Sequence, residues 1–391
     1  MKHLFPRFNI ILFSYYLFIF TSCDWPFNTN TTDNVFNLTA NHDIIRVMHS
    51  ALVLLSWDEI TIEDFVSYKI EKIRTNDTSW TTIATLSDPF QVSYVDTIFD
   101  DEDLVYRIGI IDIDAHIIWA SVAIDIPRTT SIMVPDEFET IQTAFISDLT
   151  DDDDTIYVKS GHYIENILLL GKDIFLRSEE GATSTIIDGN NKDKTVVMNS
   201  STIEGFTIIN GNAIKELGGG LLIEGDGIVR NCVIEGNFAK SKGGGIYING
   251  NGSVYNSIIN DNASSLGRGI YVRNCHGEII NNTLVSNDIV IGEECSGLIL
   301  RNNILHNSYQ DITFIDQTSQ TGVTIDYSIF DSDIGIGSNN FVGDPKLADN
   351  IDFKLSPDSP CIDTGHPDNQ YLDVDGSRND IGAYGGPRGM K

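Results

Sequence analysis

The feature that most constrains this chain is an internal repeat marked by asparagine. Four asparagines follow one another at a constant interval of 25 residues (237−212, 262−237 and 287−262), namely Asn212, Asn237, Asn262 and Asn287. Between them lie short β-branched runs that start with glycine, such as GGGIYI at 243–248 and GRGIYV at 267–272. A period of that size, built from short strands and Gly/Asn corners, predicts one solenoid coil per repeat. The predicted fold class is therefore all-β, with residues one coil apart as neighbours.

Asn231, Asn256 and Asn281 repeat with the same period and form a second column. Side-chain amides both donate and accept hydrogen bonds, so stacked asparagines can bond from one coil to the next. We therefore expect two asparagine ladders along the solenoid. The coils continue to about residue 340, which makes roughly eight of them at about 4.8 Å each.

The net charge restricts the partners. The chain has 391 residues, a formal charge of −31 and a pI near 4.3. Nucleic acids and anionic lipid surfaces attract basic proteins, so we expect no nucleic-acid partner. The acidic balance is typical of a solvated extracellular surface, or of one that holds divalent cations such as Ca²⁺, and no other cofactor is indicated. A chain of this length predicts two or three structural units.

The first 23 residues have the pattern of an export signal. Lys2 and Arg7 form a basic end, and the apolar run at 8–20 is shorter than the roughly 20 residues that a membrane span needs. The sequence FTSC at 20–23 resembles a bacterial lipobox, although phenylalanine replaces the usual leucine at its start. That resemblance implies lipidation of Cys23 and attachment of an exported protein to a membrane of the cell envelope. The alternative is cleavage at an ordinary signal site nearby, which would give a secreted protein.

Two segments precede the solenoid. Residues 24–41 are rich in Asn and Thr and lack periodicity, which predicts a tether. Residues 42–127 contain short alternating apolar runs separated by turns, which predicts an antiparallel β-sandwich. The triplets LSW, YKI and YRI, which contain Trp57, Tyr68 and Tyr106, resemble strands of fibronectin type III domains. The resemblance implies a spacer or binding module, in which Trp57 is a core residue and Tyr106 the corner tyrosine.

The solenoid is expected over residues 131–340. Ile141, Phe145 and Leu149 recur at helical spacing after an acidic stretch, which predicts a short helix that covers the open edge of the first coil. The phrases TIQ, GHY and TIIDG within 140–189 are similar to the entry of right-handed parallel β-helix proteins, including pectinesterases and pectate-lyase-like proteins. The resemblance implies a right-handed parallel β-helix.

Residues 341–391 form the last predicted unit. Their phrases SPDSPCIDTG and DVDGSRNDIGAYG resemble the C-terminal cap of bacterial surface β-helix proteins of the choice-of-anchor Q type. The resemblance implies a cap, and Phe341, Phe353 and Leu355 are expected to cover the last coil. The phrase DVDG resembles a calcium loop but lacks the third carboxylate and the closing glutamate, so we interpret it as structural.

Stacking the coils yields one candidate catalytic or binding site. Matching the I-Y-I/V runs places Arg273 in line with Glu293 and then Asp316, and a parallel polar column contains His276 with Glu294 nearby. An arginine, a histidine and three carboxylates on one face could bind a cation or a sugar acid. The alternative is a solvated turn with exposed ion pairs, each worth roughly 0–1 kcal/mol. The characteristic phrases of polygalacturonases do not occur in the solenoid, which counts against that class of enzyme.

Two tyrosines are candidates for sugar binding. Tyr247 and Tyr271 lie in strand runs one coil apart. If their side chains are exposed, they form a stripe on which sugar rings can stack, and if they point inward, they belong to the core. The sequence leaves both alternatives open.

The four cysteines after Cys23 also leave two alternatives. Cys275 and Cys295 lie about one coil apart and could form a disulfide in an exported protein. Equally, they are small buried thiols, as Cys232 and Cys361 would be.

The favoured function is that of an exported cell-envelope lipoprotein whose solenoid presents a surface to a polysaccharide or another cell surface without catalysis. One alternative is a lyase or hydrolase that acts on acidic glycans, and another is an architectural envelope protein. The fold cannot decide among them. The enzyme hypothesis requires Arg273, Glu293 and Asp316 to converge in a groove, whereas the binding hypothesis requires exposed aromatic side chains on one face.

Overall fold

A computed structural model of the chain describes residues 44–47, 50–57, 64–74, 77–98, 104–124, 131–214, 217–308, 310–315 and 317–390. The predicted export signal with Cys23, the tether at 24–41 and the candidate Asp316 lie outside these residues. Among the residues described, no helix combines the length and the apolar character needed to cross a membrane.

The N-terminal unit consists of two antiparallel sheets, as the alternating pattern predicts. Its described strands are β1 (Ile44–Val47), β2 (Ser50–Ser56), β3 (Phe65–Arg74), β4 (Thr81–Leu86), β5 (Ser93–Ile98), β6 (Leu104–Asp112) and β7 (Ile117–Ile124). One sheet has the order β1-β2-β5 and the other β4-β3-β6-β7. Both contribute to one core, in which Leu55, Tyr68 and Tyr106 are fully buried. The assignment of this unit to the fibronectin type III family stays a prediction.

The corner tyrosine of this unit is held by a buried carboxylate. The Tyr106 hydroxyl donates a 2.7 Å hydrogen bond to Asp96 Oδ2. Burial and the neighbouring carboxylate both raise the pKa of Tyr106. Trp57 packs edge-on against Tyr68, with 5.2 Å between ring centroids. Trp57 and Tyr106 are thus core residues, as predicted.

The remainder of the described chain winds through three parallel sheets, which each turn visits in the same order. Sheet I contains β8 (Ser131–Val134), β9 (Thr155–Val158), β12 (Phe175–Ser178), β15 (Thr202–Glu204), β19 (Ile228–Arg230), β23 (Ser253–Tyr255), β26 (Glu278–Ile280), β29 (Ile299–Arg301) and β32 (Thr324–Asp326). Sheet II contains β10 (Gly161–Ile164), β13 (Thr185–Asp188), β16 (Thr207–Ile209), β20 (Val233–Glu235), β24 (Ile258–Asn260), β27 (Thr283–Val285), β30 (Ile304–His306), β33 (Ile329–Phe330) and β34 (Phe341–Val342). Sheet III contains β11 (Ile167–Leu169), β14 (Val196–Met198), β18 (Leu221–Ile223), β22 (Ile246–Asn249), β25 (Ile270–Arg273), β28 (Ile289–Ile291) and β31 (Ile312–Phe314).

Three smaller elements lie at the turns and beyond. The strands β17 (Asn212–Ala213) and β21 (Phe238–Ala239) pair between sheets II and III. A helix α2 (Gln317–Gly322) precedes β32, and a 3₁₀ turn spans Asn369–Tyr371. Sheet I has nine strands, so eight turns separate its first strand from its last, in agreement with the predicted number of coils.

Alternation along each strand builds the core. Most of the strands are three residues long, and successive side chains point to opposite faces, so the middle residue of each strand in sheets I and II points inward. Val229 and Val254 of sheet I and Ile234 of sheet II are fully buried in the same cluster. The flanking residues of these strands face outward. Any binding surface of the solenoid is therefore made by first and third strand residues in sheets I and II.

Asparagine turns the corner from sheet I to sheet II. Asn231, Asn256 and Asn281 have φ angles of 53°, 45° and 55°. These angles lie in the left-handed region, which asparagine tolerates far better than β-branched residues do. Strand β19 ends at Arg230 and β20 begins at Val233, so only two residues make the corner.

The first predicted ladder forms along three of its four asparagines. Asn237 Nδ2 donates to Asn262 Oδ1 at 3.0 Å, and Asn262 Nδ2 donates to Asn287 Oδ1 at 2.9 Å. All three side chains are buried, so their hydrogen bonds replace the water that they lose. The ladder is confirmed over these coils.

The prediction was wrong for Asn212. Ile208 pairs with Ile234, an interval of 26 residues (234−208) rather than 25. Gly211 therefore lies beside Asn237 and donates its N–H to Asn237 Oδ1 at 2.8 Å. Asn212 falls one position further along, in strand β17, and is only half-buried.

The second predicted ladder is displaced by one residue. Within the described coils, Asn231, Asn256 and Asn281 do not bond to one another, whereas Asn282 Nδ2 donates to Asn303 Oδ1 at 3.1 Å. The residue in the left-handed corner directs its side chain away from the axis, so Asn256 and Asn281 donate to carbonyl oxygens of the C-terminal segment instead. The residue after the corner points inward and forms the ladder.

The predicted helix over the first coil is present but shorter than its pattern. Helix α1 spans Ile141–Ile146, is capped by the Thr140 side chain and buries Ile141, Ala144 and Phe145. Glu165 Oε1 and Oε2 accept the free backbone N–H groups of Ile141 and Gln142, both at 3.0 Å. A carboxylate at this end also complements the helix dipole.

The C-terminal segment does not cover the last coil as predicted. Only Phe341 extends the solenoid, because β34 pairs with β33. Phe353 packs against Ile258, Val285 and Ala383 on the outer face of sheet II. The outward residues of sheet II are apolar there, so the chain folds back along the side of the solenoid to bury them.

Candidate functional site

The structure does not join the two best-defined members of the predicted site. Val272 pairs with Ile291, an interval of only 19 residues (291−272), so Arg273 is in register with Gly292 rather than Glu293. Among the described residues, no hydrogen bond or ion pair joins Arg273 to Glu293. The pKa of Arg273 is raised first by its hydrogen bond to Tyr247 and, less strongly, by the Glu293 charge.

The remaining predicted members are exposed or undescribed. His276 and Glu294 are exposed, and His276 Nε2 lies 3.3 Å from Ser296 Oγ. Asp316 lies outside the described residues. In the part of the chain that the structure describes, no three His, Cys, Asp or Glu side chains are grouped so that they could hold a metal ion.

Tyr247 and Tyr271 form the predicted stripe, but they are not available to a sugar. Their exposed fractions are 3% and 0%, and their rings stack with centroids 5.4 Å apart. Lys242 Nζ donates a 2.7 Å hydrogen bond to the Tyr271 hydroxyl, and Leu217 packs against the pair. The side chains point outward from sheet III, and the preceding turns fold over them. The exposed reading is corrected to a satellite core outside the solenoid.

The cysteines are buried free thiols. Cys232, Cys275, Cys295 and Cys361 are all reduced in the structure. Burial raises the pKa of Cys232, Cys275 and Cys361 to about 12. Thiolates are the reactive form of cysteine, so these groups are inert packing residues.

Outward side chains of a different kind meet on sheet I. The third residues of its strands pair in register from coil to coil, and we call this series the outer column: Tyr157, Arg177, Glu204, Arg230, Tyr255, Ile280, Arg301 and Asp326. Neighbouring strands are about 4.8 Å apart, so the side chains of the outer column form a continuous row.

The lower end of the outer column carries a surplus positive charge. Arg230 Nη2 donates to Glu204 Oε2 at 2.8 Å, and Arg177 Nε lies 3.8 Å from the same oxygen. Two guanidinium groups thus share one carboxylate. The Arg177 side chain is 53% exposed, whereas those of Glu204 and Arg230 are 18% and 20% exposed. We call these three residues the arginine cluster.

Aromatic side chains border the arginine cluster. Phe175 is 42% exposed and belongs to the same strand as Arg177, which pairs with Tyr157 on the coil below. These residues line a shallow pocket of about 60 Å³. That volume is on the order of two water molecules, far below the roughly 300 Å³ of an enclosed ligand pocket. The site is therefore an open face rather than a cleft.

The upper end of the outer column is aromatic and electrically balanced. Arg301 makes a bidentate pair with Asp326, at 2.6 and 2.7 Å, and Arg301 Nη1 donates to the Tyr371 hydroxyl at 2.6 Å. The Tyr255 hydroxyl donates to Glu278 Oε2 at 2.8 Å. Burial, with a contribution from Glu278, raises the pKa of Tyr255 to about 12. We call Tyr255, Arg301 and Tyr371 the tyrosine cluster.

Comparison with known families bears on the solenoid. Residues 171–349 match the family model described as the right handed beta helix region. The solenoid is a right-handed parallel β-helix. No curated protein matches the chain significantly.

Solved structures similar to this β-helix protein include two pectate lyases. One is Pel3 from Pectobacterium carotovorum, at 11% identity, with 73% of this chain and 83% of that chain covered and a TM-score of 0.25. Another is PelI from Erwinia chrysanthemi, at 12% identity, with 70% and 96% covered and a TM-score of 0.17. Such TM-scores do not establish a shared architecture, so the β-helix is assigned from its strand register and the family match.

Sequence reasoning missed the outer column, although a signal for it exists. Each of its members from Arg230 to Arg301 directly precedes a corner asparagine: Asn231, Asn256, Asn281 or Asn302. The residue before a left-handed corner is the last residue of a sheet I strand and faces outward. Reading that position along the β-helix would have found the arginines and Tyr255.

Proposed function

We propose that the β-helix binds a polysaccharide along the outer face of sheet I, in a chain exported to the cell envelope, and that it does so without catalysis. The observation that carries this proposal is the outer column, in which guanidinium and aromatic side chains recur one strand apart on an open face. A row of that kind suits an extended polymer better than a small molecule, because it offers many shallow contacts in line.

The chemistry of the arginine cluster favours an acidic glycan. Guanidinium groups bind carboxylates through paired hydrogen bonds, and Arg177 is half exposed beside Arg230. The surplus positive charge is notable in a chain with a formal charge of −31, since it attracts an anionic group to this place alone. Phe175 and Tyr157 supply faces against which a sugar ring can pack.

Binding is favoured over hydrolysis or elimination for two reasons. The pocket beside the arginine cluster, about 60 Å³, is too small to enclose a reacting sugar ring away from water. In addition, Arg273, His276, Glu293 and Glu294 do not form one hydrogen-bonded constellation, although acid–base catalysis requires groups within hydrogen-bond reach of a common substrate.

The location of the protein is part of the proposal. We infer that Cys23 carries a lipid anchor, that residues 24–41 act as a tether, and that the antiparallel unit acts as a spacer of the fibronectin type III kind. Expression in a bacterial host with radiolabelled palmitate tests the anchor. The wild-type chain should incorporate label and Cys23→Ser should not, whereas equal labelling would contradict the anchor.

Binding to immobilised polygalacturonate and alginate, with and without Ca²⁺, and to a neutral glucan tests the binding function. The wild-type protein should bind an acidic polymer, and Arg230→Gln should reduce its affinity by about tenfold, the loss of a charge-assisted contact of roughly 1.4 kcal/mol. Arg268→Gln is the matched control, because Arg268 is exposed on a different corner of the same solenoid. Equal losses in both variants, or no binding to either acidic polymer, would contradict the proposal.

A further inference from the structure

The C-terminal segment supplies a residue to the outer face of sheet I. Tyr371 lies far from the coils in sequence, yet its hydroxyl accepts the 2.6 Å hydrogen bond from Arg301 in the outer column. Its ring lies beside the same guanidinium, with 5.1 Å from the Arg301 carbon to the ring centroid. Tyr371 is therefore part of the surface that a ligand on sheet I would meet.

The position of Tyr371 is fixed by packing on several sides. The His366 ring lies between Tyr327 and Tyr371, with centroids 4.7 and 4.9 Å away. The His366 N–H donates to Asn302 Oδ1 at 2.8 Å, which ties the segment to the corner of the β-helix. Asn379 Nδ2 donates to the Tyr371 carbonyl oxygen at 2.7 Å. A side chain held in this way is pre-organised, so little conformational entropy is lost when a ligand packs on it.

The two ends of the face differ in charge. The arginine cluster has two guanidinium groups for one carboxylate, whereas Arg301 in the tyrosine cluster is neutralised by Asp326. An anionic group is therefore favoured at the lower end, while the upper end offers ring faces and hydroxyls without net charge. The pairing series runs from Arg230 through Tyr255 and Ile280 to Arg301. Three strand spacings, about 14 Å, separate the clusters.

We propose that Tyr371 is a specificity-determining residue that makes the face select long glycan chains over short ones. This rests on the proposed function, because it assumes that the ligand lies along sheet I. A chain long enough to reach from the arginine cluster to the tyrosine cluster gains a second set of contacts. A disaccharide held at the arginine cluster does not reach them.

The test compares disaccharide, tetrasaccharide and octasaccharide oligogalacturonates by calorimetry. The wild-type protein should bind the octasaccharide at least about tenfold more tightly than the disaccharide. Tyr371→Ala should lower octasaccharide affinity by about tenfold, the worth of one aromatic contact, and leave disaccharide affinity unchanged. Arg230→Gln should weaken the binding of every length.

Two further variants separate a ligand contact from a folding defect. Tyr371→Phe keeps the ring and should retain most of the octasaccharide affinity. Tyr371→Leu keeps an apolar contact with His366 and should preserve the melting temperature while losing the length preference. The inference is overturned if the wild type and Tyr371→Leu bind both lengths alike while Arg230→Gln still weakens binding. If no oligogalacturonate binds even the wild type, the proposed function and this inference fall together.

Discussion

Sheets I and II have the same inner face and opposite outer faces. Their middle residues, such as Val229 and Ile234, are equally buried in one core. On the outside, Ile304 and Ile329 of sheet II are 0% and 2% exposed beneath the C-terminal segment, whereas the Arg177 side chain on sheet I is 53% exposed. The repeat builds both faces by the same rule, so the outward residues alone decide which face is covered and which is free to bind.

The strongest test of this contrast removes an outward side chain from each face. Ile304→Ala should lower the free energy of unfolding by about 2–4 kcal/mol, because Ile304 packs against Cys361 and Ile381. Phe175→Ala on the open face should change it by about 0.5 kcal/mol or less. Urea denaturation of both variants measures the difference. Similar losses would show that sheet I is covered as well.

The corner beyond sheet II should carry a pH-dependent penalty. Asp311 is 3% exposed, and burial together with the Asp331 charge raises its pKa from 3.8 to about 6. Because the folded-state pKa is raised, this carboxyl contributes stability that is fully present below about pH 3.8 and is lost as the pH rises through 6. Asp311→Asn should therefore stabilise the protein by about 2 kcal/mol at pH 8 and by little at pH 4. Denaturation at both pH values measures this effect, and equal shifts at the two would contradict it.

Sheet III offers a milder version of a covered face. Tyr271→Phe removes the hydroxyl that accepts from Lys242 and should destabilise the protein by about 1 kcal/mol. Polysaccharide affinity should not change, because the ring is buried. Thermal denaturation and binding are measured on the same sample. A loss of affinity without a loss of stability would return this tyrosine to the binding surface.

The smallest effect is expected on the open face itself. Glu204→Gln removes the carboxylate between Arg177 and Arg230 and increases the positive charge there. Affinity for an acidic polymer should rise a few-fold at low salt, consistent with roughly 0.5–1 kcal/mol for exposed ion pairs, and the gain should shrink in high salt. If affinity falls instead, Glu204 acts mainly by holding the two arginines in position.

The repeat predicts the interior of the β-helix better than its register. The inward residues and the Asn237–Asn262–Asn287 ladder follow from periodicity, because a buried column tolerates little change. Asn212 and Glu293 were misplaced because the coils concerned have 26 and 19 residues instead of 25. Turns absorb such insertions and deletions without disturbing the core, so counting by a fixed period fails at the turns.

The candidate site was less predictable for a different reason. Tyr247 and Tyr271 do point away from the solenoid axis, and only the folding of the turns over them buries their rings. Tyr371 reaches the open face because the C-terminal segment folds back along sheet II. Contacts between parts of the chain so far apart leave no trace in local periodicity. The outward residues of sheet I, in contrast, could have been found from the corner asparagines.

The account depends most on Arg177 and Arg230 forming the contact surface for a polysaccharide. Modification of arginines by phenylglyoxal, followed by peptide mass spectrometry with and without polygalacturonate, tests this directly. The account predicts that the polymer protects Arg177 and Arg230 while exposed Arg268 reacts equally in both samples. Unchanged reactivity of Arg177 and Arg230 in the presence of bound polymer, or protection of Arg268 alone, would contradict it.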